Sequence, residues 1–319
     1  MNLIYLGLIG AAVVIYLSSL NWRRSVKIVL LLLVLEGAIR KWALPQASQL
    51  LYFLKDFVLI GAYISYFSRP KSKRRVVIKA EAITILIYMS GAWCLFQAFN
   101  PSLGSPIIGL FGIKNYFLYI PLMWVLPYLF PSEEEFYKFL RSYLLLLIPV
   151  GMLAIAQYFS PPDSPLNVYA RDEVAVAVAG QAVRVTGTFS YLTGYTVYLA
   201  SCFCWLLPLL TMEQPLFWQW LTIAEVLLVA ITSFMTGSRG IMITLVLMLV
   251  GYLGLQGTTQ FSKLLRSVQK LLIPSIIGFN IVVSKFQAAI DSFWVRTSSN
   301  NDVLPRIISS FTEPFAFFV

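Results

Sequence analysis

The chain has 319 residues, of which 59% are hydrophobic, 15% aromatic and only 12% charged, with a net charge of +10. A mean hydropathy of +0.78 excludes an ordinary soluble domain, which needs far more charged surface, and points to a polytopic membrane protein. The positive balance fits basic cytoplasmic loops and anionic lipid rather than nucleic acid, and the absence of histidine removes the commonest general base and metal ligand.

At about 20 apolar residues per crossing, the apolar runs fall near 2–20, 26–38, 49–68, 80–98, 115–130, 137–159, 190–211, 217–235, 240–255 and 267–284. The expected fold is all-α: a polytopic transmembrane bundle of about ten helices, forming one integral membrane domain over 1–319. The first run has no basic residue before it, so it reads as a retained helix and not a cleaved signal. The second is short and is expected to be tilted or half-buried. At its end, "LEGAIRKWALP" sets Glu36 and Arg40 four apart, on one helix face, with Lys41 next and Trp42 as an interfacial aromatic.

The third run carries Lys55 and Asp56 in "LYFLKDFVLIGAY". Adjacent residues on a helix point about 100° apart, so the two do not simply neutralise each other; each needs a partner or a wet cavity. The loop after it, "SRPKSKRRVVIK", holds Arg69, Lys71, Lys73, Arg74, Arg75 and Lys79. By the positive-inside rule this loop is cytoplasmic, and alternation then places the N-terminus outside. The cytoplasmic side also takes Arg23, Arg24 and Lys27, then Lys138 and Arg141, then Lys263, Arg266 and Lys270. Arg40, Lys41, Lys114, Arg171, Arg184, Arg239, Lys285, Arg296 and Arg306 fall outside.

Lys114, in "FGIKNYFLYIPL", is read at the outer start of the fifth helix, which Pro121 and Pro127 should kink. "PSEEEF" reads as a helix start, with Ser132 and Glu135 spaced as a capping box. The longest connection, 160–189, is an extracytoplasmic loop. Its alternating Val174, Val176 and Val178 suit a short strand or an interfacial segment, and loops this long tend to be functional.

Next comes "GQAVRVTGTFSYLTGYTVYLA", with Arg184 just before the seventh run, and later "TSFMTGSRGIMITLVLML", with Arg239 between two apolar runs. Arginine stays charged and grips phosphate oxygens with two parallel hydrogen bonds. Gly187, Gly237 and Gly240 allow backbone to approach a ligand, and helix N-terminal N–H groups beside Ser238 and Gly240 favour an anion. Outward cations at helix ends are what a lipid-linked pyrophosphate requires. The rival reading of both arginines is an interfacial anchor.

Glu225 lies within the eighth run and, like Lys55 and Asp56, is an intramembrane charge. Cys94, Cys202 and Cys204 all sit in apolar runs, and a Cys202–Cys204 disulfide within one helix is geometrically poor. There is no phosphate-binding GxxxxGK[ST], no HExxH, no cysteine cluster and no internal repeat. No cofactor or metal is expected.

"RVTGTFSYLTGYTVYLA", followed by "TGSRG" at the start of the next-but-one helix, resembles the O-antigen ligase and polymerase-like superfamily. "LEGAIRKW", "FLKD" and "GIKNYFLYIPL" are similar to upstream signatures of its bacterial exopolysaccharide branch. The resemblance runs over roughly residues 30 to 319. It implies a multi-pass glycosyltransferase of the bacterial plasma membrane, working at the outer face. Such an enzyme takes glycan from an undecaprenyl-pyrophosphate carrier, joins it to an acceptor sugar hydroxyl, and needs no metal. Arg184 and Arg239 match the motif positions thought to hold the pyrophosphate. The ligase branch uses a histidine in a late outer loop, and its absence here favours a polymerase or another exopolysaccharide enzyme. Members usually have about twelve helices, so the ending "RIISSFTEPFAFFV" is read as a truncated chain.

On this reading Arg184 and Arg239 are catalytic, offsetting charge on the departing pyrophosphate. Lys114, Arg40, Lys41, Arg296 and Arg306 are candidate substrate-binding cations. Asp172, Glu173, Asp302 and Glu313 are the candidate proton acceptors for the attacking hydroxyl. Expected partners are the lipid-linked oligosaccharide, membrane lipid and other polysaccharide assembly proteins. Two other readings remain open: a flippase with Lys55, Asp56 and Glu225 lining its pathway, and a non-catalytic component of an export complex.

Overall fold

The computed structural model describes residues 3–68, 81–100, 103–170, 178–179 and 182–259. The basic loop 69–79, residues 171–177 with Arg171, Asp172, Glu173, Val174 and Val176, and everything after Thr259 lie outside the described residues. That last stretch includes the tenth apolar run, Lys285, Arg296, Asp302, Arg306 and Glu313.

The described chain is predominantly helical. In order it forms α1 (Leu3–Leu20), α2 (Trp22–Ala38), a π-helical turn (Ile39–Ala43), α3 (Ser48–Phe67), α4 (Glu81–Ala98), α5 (Pro106–Phe117), α6 (Leu122–Val125), α7 (Glu133–Leu144) and α8 (Leu147–Phe159). Two-residue strands β1 (Val178–Ala179) and β2 (Ala182–Val183) pair antiparallel, and α9 (Leu192–Thr211), α10 (Leu216–Met235) and α11 (Arg239–Thr259) follow. Each of the first nine apolar runs contains a helix. Among the described residues, six stretches are long and apolar enough to cross a membrane: Pro45–Phe67, Pro106–Tyr128, Glu133–Phe159, Leu192–Thr211, Leu216–Met235 and Arg239–Gln256.

Three expectations need correction. The fifth run begins at Pro106, not 115, because Ser105 caps a helix there through its side chain, accepting from the Ile107 N–H. Lys114 therefore sits in the last turn of α5 rather than at the start of a helix. The kink expected from Pro121 and Pro127 is a full interruption, from α5 through turns to the single turn α6 and a 3-10 turn at Leu126–Tyr128. Lys138 and Arg141 stand within α7 and not in a loop; Lys138 pairs with Glu134 at 2.7 Å, whereas Arg141 is buried. The Ser132 side chain does accept the Glu135 N–H, as the capping pattern predicts.

By its contacts the chain divides into two compact units, one of residues 1–33 and 47–141, the other of 34–46 and 142–319. In the first, Trp22, Val26 and Val29 of α2 pack on Val58, Leu59, Ala62 and Tyr66 of α3 and on Leu122, Val125 and Leu129. Small residues set the spacing: a Cβ at Gly61 would overlap Ile15 of α1, and one at Gly109 would overlap Ala98 of α4. Close approach of backbones through small residues is how helices gain packing energy where lipid is as apolar as the side chains. Large exposed apolar residues such as Leu86, Met89 and Phe96 on α4 suit contact with lipid.

In the second unit α10 packs on both α8 and α9, and α11 packs against α9. Gly151 of α8 meets Leu228 of α10, and the Thr211 and Tyr252 hydroxyls share a 2.6 Å hydrogen bond between α9 and α11. Cys94, Cys202 and Cys204 are all free thiols.

Candidate functional site

The second unit holds a polar loop, residues 184–190, gripped by three parts of the apolar scaffold. Each grip has a local cause. At the C-terminus of α10 the last carbonyls have no helical donor. Gly237 adopts a left-handed φ of 59° there, the usual glycine ending, and donates to Phe234 O. Two donors from the loop serve the same helix end: Val185 N to Met235 O at 3.4 Å, and Arg184 Nε to Thr236 O at 3.0 Å. The negative end of the helix dipole favours that guanidinium.

From α8, Gln157 reaches the loop. Its side-chain oxygen accepts the backbone N–H of Thr186 (3.2 Å) and of Gly187 (2.8 Å). Its side-chain nitrogen donates to Leu166 O (2.9 Å) and to Gly187 O (3.2 Å). Just beyond, Asn167 ends α8 by donating from Nδ2 to Gln157 O, Ser160 O and Pro161 O. Gly187 has a φ of 54°, and its carbonyl faces inward to take this bond.

The third grip comes from the end of α2 and the π turn. Gly37 lies so close to Thr188, Phe189 and Ser190 that any Cβ would collide with their backbone, and the Thr188 hydroxyl donates to Val34 O at 2.6 Å. The π turn widens the helix just where it carries Arg40 and Lys41; such turns often mark functional sites. Arg40 binds Glu36 at 3.1 Å, as the four-residue spacing predicts, and also the Ser190 hydroxyl at 3.1 Å. Lys41 donates to Thr186 Oγ1 and Gly187 O, both at 2.9 Å, and lies over the Trp42 ring. Trp42 is held in turn by Pro165 O at 2.9 Å. Burial pushes the Lys41 amine down to about 7.

Arg40 and Lys41 were expected to meet substrate directly. They are instead only 7% and 5% exposed, with their donors turned into the loop. They support the loop from within. Arg184 and Arg239 are only partly buried. Arg239 opens α11, just beyond the Thr236–Gly237 turn that Arg184 holds, and its guanidinium makes no hydrogen bond or ion pair to any described residue. The two arginines of the motif thus belong to one structural feature.

Lys114 belongs to another. In the first unit its ammonium lies 2.7 Å from Asp56, over the rings of Tyr52 and Phe53, and Asp56 also accepts the Tyr119 hydroxyl at 2.7 Å. The partner that Asp56 needed is Lys114, so this lysine's charge is committed within the scaffold. Lys55 turns to Tyr52, donating to its carbonyl at 2.9 Å. Glu225 is fully buried in α10.

Gln157, Thr186 and Asn167 were not singled out from sequence. The available signal was Gln157 itself, an uncharged polar side chain inside an apolar run, which needs hydrogen-bond partners wherever it is buried.

No family model matches this chain, and no curated protein or solved structure matches it. Fold and composition define its class: a helical protein with the spans of a multi-pass membrane protein.

Proposed function

We propose that this chain is a membrane glycosyltransferase of the O-antigen ligase and polymerase type. It would polymerise or transfer undecaprenyl-pyrophosphate-linked glycan at the extracytoplasmic face of a bacterial plasma membrane. The observation that carries this reading is the tie between Arg184 and the turn before Arg239, which presents two arginines from one polar loop and one helix N-terminus. That arrangement suits a pyrophosphate: two forked cations, plus N–H groups at the start of α11.

In the mechanism, the cations hold the donor's phosphates and stabilise the charge that develops as the glycosyl–oxygen bond breaks. An acceptor hydroxyl attacks the anomeric carbon as the lipid pyrophosphate departs, and its proton passes to a carboxylate, for which Asp172, Glu173, Asp302 and Glu313 are the candidates. Buried Arg40 and Lys41 keep the loop in place from beneath. The orientation follows from the basic loop 69–79, placed in the cytoplasm by the positive-inside rule, with the N-terminus outside.

The Asp56–Lys114 pair favours one other reading. A buried ion pair within two candidate spans is also what a flippase for the same lipid-linked sugar would use along its path. Purified protein incubated with defined undecaprenyl-pyrophosphate oligosaccharide separates the two. A polymerase lengthens the glycan, whereas a flippase moves it across a vesicle without lengthening it.

A further inference from the structure

Gln157 stands out among the buried polar groups. It is 1% exposed, yet its amide makes four hydrogen bonds, three of them to the Thr186–Gly187 turn and the fourth to Leu166. Its chemistry is matched to that turn. The turn's two backbone N–H groups take an acceptor, while the Gly187 carbonyl and that of nearby Leu166 take a donor, and a primary amide offers both ends at once. Glutamate offers only the acceptor end, and an apolar side chain neither. The turn so fixed is flanked by cations: Arg184 stands two residues before Thr186, and Lys41 binds both Thr186 Oγ1 and Gly187 O. Lys41 and the Gln157 amide share the Gly187 carbonyl as acceptor.

We propose that Gln157 is a positioning residue, whose amide fixes the Thr186–Gly187 turn and through it sets Arg184 for the phosphates of the donor. This rests on the glycosyltransferase reading above. Gln157 touches no substrate; it acts through the loop. The apolar alternative, that Gln157 merely fills space between α8 and the loop, makes the opposite forecast, because a volume-conserving change to methionine is then well tolerated.

The test uses the full chain in lipid nanodiscs, with undecaprenyl pyrophosphate as the binding probe. The variants are Gln157→Met and Gln157→Glu, and amine acylation at Lys41, followed by mass spectrometry, is the second readout. Gln157→Met is expected to insert and remain folded, to bind the probe about ten- to a hundredfold more weakly through misplacement of the loop, and to label faster at Lys41. Gln157→Glu keeps the two acceptor bonds and is expected to recover part of the affinity. If the methionine variant fails to insert, the glutamate variant carries the same comparison with wild type. Variants that bind as tightly as wild type overturn the positioning role and leave the functional reading standing. Weaker binding with unchanged Lys41 labelling overturns the route through the turn. A wild-type protein that binds no probe overturns the functional reading, and the positioning proposal with it.

Discussion

Arg184 donates through Nε to the carbonyl of Thr236 at 3.0 Å, three residues before Arg239. That bond joins two motifs some fifty residues apart in sequence. It also gives Arg184 a structural role, as a cation satisfying the C-terminus of α10. The functional claim must therefore be separated from helix capping by experiment.

Lys41 gives a pH dependence with a definite sign. Its folded-state value of about 7 lies below the ordinary 10.5. Between those limits the unfolded chain holds a proton that the folded chain lacks, so stability should rise as pH rises from 7 to 10.5. Below 7 the full cost of burying the charge is present. Lys41→Met should remove this slope, read as the pH dependence of detergent-induced unfolding. A wild-type slope that persists in the variant would assign it to other groups. If pyrophosphate binds beside Arg184, its charge also favours protonated Lys41, and donor binding should weaken above pH 7 in wild type more than in Lys41→Met.

The Asp56–Lys114 pair should behave as a buried ion pair. Removing one partner leaves a charge among Tyr52, Phe53 and Tyr119, and breaking such pairs costs about 3–5 kcal/mol. Asp56→Asn should lower thermal stability strongly, and adding Lys114→Met should restore much of it. On the polymerase reading the double variant retains elongation; on the flippase reading it loses transport. Equal stability of all three proteins would mean that the pair contributes nothing.

Two glycines test the seating of the loop. At Gly187, alanine would have to hold a left-handed φ, about 1–2 kcal/mol uphill, with its Cβ 3.1 Å from Val150 and 3.2 Å from Tyr195. At Gly37 a methyl would collide with the backbone of Thr188 to Ser190. Both Gly→Ala variants should lose activity at matched membrane level, whereas Gly7→Ala, where a Cβ meets open space, should not. Normal elongation by Gly37→Ala would show that the loop tolerates displacement.

Much of the helical layout could be read from apolar run length, because crossing lipid fixes both length and composition. Local pairings were legible too: Glu36 with Arg40 lies within one helical turn, and the Val178 end of the alternating stretch does form a strand. Long-range partners were not. Nothing in "FLKD" reveals that Asp56 meets Lys114, because the match is made by packing of α3 near α5. The burial of Arg40 and Lys41 was also hidden. An "RKW" at a helix end looks the same in sequence whether the helix stops in water or, as here, widens into a π turn beneath a loop.

The most direct measurement is glycan elongation by Arg184→Lys and Arg239→Lys, and by the matching Ala variants, at equal membrane protein level. Lysine keeps the charge, snorkels as well as arginine and can serve a helix C-terminus, but lacks the planar fork. The pyrophosphate account predicts that Ala loses about a hundred- to a thousandfold in rate, the scale of one lost transition-state contact. It predicts that Lys recovers only part. Near-normal elongation by both Lys variants, with mild loss from Ala, would contradict it and leave the two arginines as anchors and caps.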